Sequence, residues 1–181
     1  GTADASVAAV DVSLGVLLSD WPLVHDALLL LDAARQRPMP FQHWSALLPS
    51  PFLGGAVVES AARAQLDAQL REACFAEESL DGFRQALALA QSRSPTPILA
   101  ARFAALAGEV RGAETLRLAP SEWGQRFTHW LSAAGFPGDR SLDSIEHQTL
   151  TRFKALLEGL SALDRVMSRI TLPDALGRVR R

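Results

Sequence analysis

The chain has no tyrosine, one cysteine, two methionines and a single lysine among its eighteen basic residues. Each shortage excludes something. Cys74 alone forms no intrachain disulfide and builds neither a thiolate metal site nor an iron–sulfur cluster. It reads as a small helix residue in a reducing compartment. No apolar run reaches the ~20 residues that span a bilayer, and no signal peptide is visible, so a cytoplasmic protein without a membrane partner is expected. The four histidines, His25, His43, His129 and His147, are never paired as H-x-x-x-H or H-E-x-x-H, so no zinc-protease motif is present. There is no D-x-D pair, no nuclease-like D…E-x-K run and no glycine-flanked serine nucleophile. The expectation is a chain with no catalytic residues, cofactor or metal site of its own. Nor is there an excess of positive charge. A formal charge of −2 and a pI near 6.1 lack the basic footprint of a dedicated nucleic-acid binder, while leaving room for a local basic face.

What the chain does have is helix formers. Alanine and leucine abound, and 48% of the 181 residues are apolar against 21% charged, the balance of a globular chain with a real core. The organising stretch is 123–160. Trp123, Phe127, Trp130, Leu131 and Ala134 recur every three or four residues, which places two tryptophans and a phenylalanine on one helical face. Gly135 then falls where a left-handed C-cap is expected, and Pro137 follows. A second stripe runs through Ile145, Phe153, Leu156, Leu157, Leu160 and Leu163, so 123–160 reads as an α-hairpin closing a helical core. The fold expected is all-α, an irregular bundle of about seven to nine helices. Residues 1–19 form an N-terminal segment, and 20–181 form the helical domain.

Val7, Val10, Val12 and Leu14 give the N-terminal segment its strand character. If its pairing partners lie elsewhere in a longer protein, it is disordered or helical instead. The start at Gly1 reads as the edge of an excised piece. Asp20 is expected to cap a nearly all-apolar helix beginning at Trp21-Pro22, with Arg35 and Arg37 at its C-terminal end. Further helices are expected from Phe41 to about Leu48, Val57 to Phe75, Leu80 to Gln91 behind a Ser79 cap, and Pro97 to about Val110. The hairpin's second arm is expected to continue through Ile170, and a short helix follows Thr171. Glu59 with Arg63 and Asp67 with Arg71 stand four apart, the pattern of a solvated charged face. Gly54-Gly55 lacks the surroundings of a phosphate loop and reads as a flexible turn.

Asp143, Glu146 and His147 share one helix region and would be the centre of an enzyme if there were one, but a surface ion pair is the better account of them. For nucleic acid, Arg126, Arg140, Arg152 and Lys154 are the candidate phosphate contacts on the hairpin. Arg140 sits in a constrained turn before a helix start. It either meets an anion there, pairs with Asp139 or Asp143, or caps the preceding helix.

Four patches carry a family resemblance: V-S-L-G-V-L-L-S-D-W-P-L-V-H-D-A-L at 12–28, L-L-P-S-P-F-L-G-G-A-V-V-E-S-A-A-R-A-Q-L-D-A-Q-L-R at 47–71, W-L-S-A-A-G-F-P-G-D-R-S-L-D-S-I-E-H-Q at 130–148 and F-K-A-L-L-E-G-L-S-A-L-D at 153–164. Together they resemble the middle region of bacterial DNA repair proteins of the AddB/RecB-like class. Those are long chains with a superfamily I helicase-like body and a RecB-type nuclease domain. The resemblance implies the helical insertion known as the 2B domain, preceded by an edge of the second motor domain. It also implies DNA, the rest of the parent chain and a helicase or nuclease partner subunit as what it touches. None of the matching motifs is catalytic, so any ATPase or nuclease activity would belong elsewhere in the parent. The other expectation, from a different class, is a helical protein–protein interaction module with no DNA contact, which the acidic pI favours.

Overall fold

The apolar spacing becomes eight α-helices in the computed structural model, which describes residues 17–73 and 76–180. They are α1 (Pro22–Ala33), α2 (Phe41–Leu47), α3 (Ser60–Glu72), α4 (Leu80–Ala90), α5 (Pro97–Val110), α6 (Pro120–Ala133), α7 (Ser144–Gly159) and α8 (Leu172–Val179). The all-α expectation holds. The expected N-terminal strand and Cys74 lie outside the described residues.

Local chemistry sets the helix starts. Pro stands in the first turn of α1, α5 and α6, where its missing N–H is no loss. Ser79, Asp143 and Thr171 cap α4, α7 and α8 by accepting from the N–H groups of Gly82, Glu146 and Asp174. Asp20 does not cap α1. Pro22 drives the residue before it into extended backbone, so Trp21 takes the cap position and Asp20 closes a short 3-10 turn instead.

Four two-residue strands were not foreseen. β1 (Met39–Pro40) pairs antiparallel with β2 (Glu77–Glu78), and β3 (Arg117–Leu118) with β4 (Ile170–Thr171). Each ribbon is fastened by the same device. The fourth residue of the helix after the first strand is a fully buried tryptophan whose indole N–H donates to a carbonyl of the second strand. Trp44 of α2 reaches Glu78 at 2.9 Å, and Trp123 of α6 reaches Ile170 at 2.9 Å. This explains why the second hairpin arm does not stay helical to Ile170. After α7 the chain makes a 3-10 turn over Leu160–Arg165 and then extends, so that Ile170 can meet both Leu118 and the indole. Burying an indole without a partner for its N–H would be costly.

The core is continuous. Trp44 stacks on Phe83 with centroids 4.3 Å apart, and Phe103 meets both edge-on. Trp123, Phe127 and Trp130 form a second nest on α6. A β-carbon at Gly124 would overlap the Leu157 carbonyl oxygen, so glycine there is what lets α6 lie directly on α7. Ile145, expected inside, is exposed, because the first turn of α7 projects beyond the stripe that Leu150, Phe153 and Leu157 bury.

Candidate functional site

The two glycine-containing loops, residues 51–56 and 135–140, are pressed together backbone to backbone. α6 ends as expected, with Gly135 at φ +78° and Phe136 N–H donating back to Leu131 at 3.0 Å. A β-carbon on Gly135 would sit 2.8 Å from the Gly54 Cα. One on Gly138 (φ +92°) would overlap the Pro51 carbonyl oxygen. Gly55 N–H donates to the Asp139 carboxylate. The Phe136–Pro137 peptide between these contacts is cis. Ser50 ties the first loop to α1, donating to Asp26 and accepting from Phe52 N–H at 3.1 Å. Burial pushes the Asp26 carboxyl above its ordinary pKa, against the lowering effect of that hydroxyl. Gly54-Gly55 is therefore a buried junction and not a flexible turn.

Glu59 and Arg63 complete this junction from beneath and correct a second expectation. They are buried, not solvated, at 5% and 0% exposure. The Glu59 carboxylate accepts from Arg63 Nε at 3.2 Å and Nη2 at 3.0 Å, from Leu99 N–H at 3.0 Å, and from Ile98 N–H. Ile98 and Leu99 are orphan donors in the first turn of α5, so Glu59 caps a helix thirty-nine residues away, with the macrodipole in its favour. Arg63 Nη2 also donates to the Gly54 carbonyl. Burial lowers the Arg63 pKa and the Glu59 contacts raise it back toward normal.

Arg140 leaves the junction and lies with its guanidinium 5.1 Å over the Phe52 ring. Its fork grips Glu146, with Nη1 to Oε2 at 2.8 Å and Nη2 to Oε1. Neither Asp139 nor Asp143 is its hydrogen-bonded partner. The correct one lies six residues on, across a turn, where no helical spacing rule points. The hydrogen bonds from Arg140 hold the Glu146 carboxyl below its usual pKa, and Glu146 raises that of Arg140. Glu146 also accepts from Asp143 N–H at 3.0 Å, while Asp143 accepts from Glu146 N–H at 2.8 Å. These two carboxylates are thus a capping box. His147 is exposed beside them.

The other three candidate phosphate contacts, Arg126, Arg152 and Lys154, are exposed. Lys154 edges a groove of about 210 Å³ between α6 and α7 together with Thr128 and Ser132. Arg126 is two residues from Thr128, about 200° round the helix, and so points away from that groove. It lies toward the flank where His129 meets Glu109 of α5 at 2.9 Å. Arg152 is similarly offset from Lys154 on α7. The four do not gather on one face.

Among the described residues no group of three His, Cys, Asp or Glu side chains is placed to hold a metal ion, and no helix is long and apolar enough to cross a membrane. Comparison with protein-family models, with curated proteins and with solved structures returned no significant match.

Proposed function

We propose that this chain is a non-catalytic helical accessory domain of a DNA repair protein of the AddB/RecB-like class, positioning DNA or a partner subunit beside motor and nuclease parts carried elsewhere. The observation that supports the reading is the junction itself. The S-P-F-L-G-G-A and G-F-P-G-D-R stretches, which both carry the resemblance and meet where Gly55 and Asp139 stand 84 residues apart, are the two loops that lock together around Asp139, Arg63 and Glu59. Of the carboxylates around the junction, Glu59 caps α5 and Asp143 with Glu146 cap α7, while Asp139 and Asp26 hold the loops, which suits a domain that positions and does not react. A second reading, a protein-interaction module without DNA contact, draws on the dispersal of Arg126, Arg152 and Lys154 and on the engagement of Arg140 by Glu146.

Fluorescence anisotropy of a labelled duplex with a single-stranded tail, at low and moderate salt, separates the two. Under the first reading binding falls steeply with salt, by about 0.9 in log–log slope for each phosphate neutralised. No binding at tens of micromolar protein in low salt would overturn autonomous DNA contact and leave the protein-interaction module.

A further inference from the structure

Seven large apolar side chains stand exposed among the described residues, and three of them, Val57, Val58 and Ile98, gather beside the glycine junction. The other four, Leu17, Leu89, Ile145 and Val166, stand on four separate stretches of the chain. Single exposed apolar residues are normal on a surface, and a cluster is not. The backbone brings these three together. Val57 and Val58 lie in the turn that Glu59 N–H closes onto the Gly55 carbonyl at 2.9 Å. Ile98 touches both ends of that turn. A β-carbon on Gly55 would fall 2.6 Å from its Cγ2, and its N–H donates to the Glu59 carboxylate. One turn further along α5, Arg102 lies over the same junction. Its Nε is 2.9 Å from where a β-carbon on Gly54 would be, and 3.0 Å from one on Gly135. Arg102 is exposed and makes no hydrogen bond or ion pair among the described residues. Asp139, also exposed, accepts from Gly55 N–H with one carboxylate oxygen, and its other oxygen has no partner among those residues.

Shielding of the glycine backbone would account for Ile98 and for the stem of Arg102. It does not account for Val57 and Val58, at 60% and 81% exposure, or for the unpaired charge. We propose that this face binds a second copy of the chain in an isologous dimer. About a twofold axis every contact is made twice, reciprocally, so the surface has to be complementary to itself. This one carries an apolar centre together with an unpaired cation and a half-used carboxylate, and no ion pair joins the two within one chain. In the dimer Val57, Val58 and Ile98 of the two copies cover one another, and Arg102 of each protomer meets Asp139 of the other. A nucleic acid on the same face would set phosphates against Asp139 and leave the valines in water. Three side chains make a small centre, so the pair is transient and not obligate. The inference is independent of the DNA reading.

The test is sedimentation velocity of the whole chain from about 20 micromolar to about 1 millimolar, the range of a transient pair, with methyl resonances followed over the same dilution. The sedimentation coefficient should rise toward that of a dimer and stop there. The Val57, Val58 and Ile98 methyls should shift in step with it, while those of Leu89 and Val166 stay still. Val58→Glu, at a position the fold leaves in solvent, should remove the dimer across the range while the melting temperature holds. Arg102→Glu sets like charges across the axis and should weaken the dimer about tenfold or more, whereas Arg102→Lys should keep most of it. An equal mixture of wild type and Arg102→Glu should form mixed dimers of intermediate strength, because one of the two charge pairs survives. A chain that stays monomeric throughout overturns the proposal and leaves the face to a different protein. A dimer indifferent to Val58→Glu overturns it by placing the contact elsewhere. Growth past two copies overturns it by making the contact head-to-tail. None of these outcomes bears on the anisotropy test of DNA contact, so the two ideas fail separately.

Discussion

Two acid–arginine pairs with the same four-residue spacing and the same order stand toward opposite ends of α3, and they have opposite fates. Glu59 and Arg63 have side-chain exposures of 5% and 1%, whereas Asp67 and Arg71 have 20% and 59%. Spacing on a helix decides only which side chains can meet. What lies over the helix decides what the meeting contributes. Over the first pair lie the 51–56 loop and the start of α5, which bring a carbonyl and two N–H groups for the ions to bond. Over the second lies α2, which brings one hydroxyl, that of Ser45, and then solvent. A buried charge without such backbone partners would be a liability. With them, Glu59 links α3, α5 and the glycine junction through a single carboxylate.

The sharpest way to break this comparison is to delete the buried cation. Arg63→Ala leaves Glu59 charged and buried, and should cost about 3–5 kcal/mol of unfolding free energy in urea. A loss below about 1 kcal/mol would place the pair with ordinary surface ions. Next in size is the junction above it. Gly138→Ala puts a β-carbon onto the Pro51 carbonyl at φ +92°, and should cost at least the ~1–3 kcal/mol of a strained backbone site. Gly112→Ala is the control, with a similar φ of +74° and no heavy atom within 4 Å of the added carbon. It should cost only the left-handed penalty of about 1–2 kcal/mol. Equal losses at the two glycines would mean that the loops are not in close contact.

The same contrast explains what was legible in the sequence. The hairpin of α6 and α7 could be read because its core residues repeat with the helix, and Trp123, Phe127, Trp130 and Phe153 are all buried as that period demands. The Gly135 C-cap, the Ser79 cap and the Pro-led helix starts could be read because capping is local chemistry. The two ribbons could not, since Met39 and Pro40 are paired only because Glu77 and Glu78 arrive from nearly forty residues away. Arg63 showed no sign of burial either, because its cover comes from Gly54 and from α5 and not from its own helix. The residues before Glu59 give no sign either, since Val57 and Val58 are themselves exposed. The phosphate candidates had a related problem. Arg140 in a turn before a helix start is a reasonable anion contact until Glu146, itself held by Asp143, takes both arms of its fork.

That pair sits between the two extremes on α3 and gives the third test. Arg140 and Glu146 have side-chain exposures of 32% and 20%, so Arg140→Gln should cost about 1 kcal/mol or less. Its pH dependence is more telling than its size. The folded pKa of Glu146 lies below the ordinary value of about 4.3. Its contribution is therefore complete above that value and is lost as pH falls through the lowered one. Arg140 stays charged throughout. The stability gap between wild type and Arg140→Gln should accordingly be widest near neutrality and close on acidification. A gap that stays constant down to pH 3 would assign the effect to the Phe52 contact and not to the ion pair.

The smallest effect is expected at the exposed end of α3. A double-mutant cycle of Asp67→Ala and Arg71→Ala should return a coupling of about 0.3–0.5 kcal/mol, falling further in high salt. The ions are well placed, at 2.8 Å, and the acid precedes the base as a helix prefers. Geometry alone would therefore predict an interaction as strong as that of Glu59 and Arg63. The difference lies in water. Solvent around Arg71 screens the attraction and offers the guanidinium equally good partners when Asp67 is removed, so little is lost. Ser45 stays behind as a shared partner of both residues, which makes the serine the test of this account. With Ser45→Ala as background the cycle should return a smaller coupling still. A coupling that instead rises above about 1 kcal/mol would show that the two ends of α3 differ in packing but not in electrostatic kind.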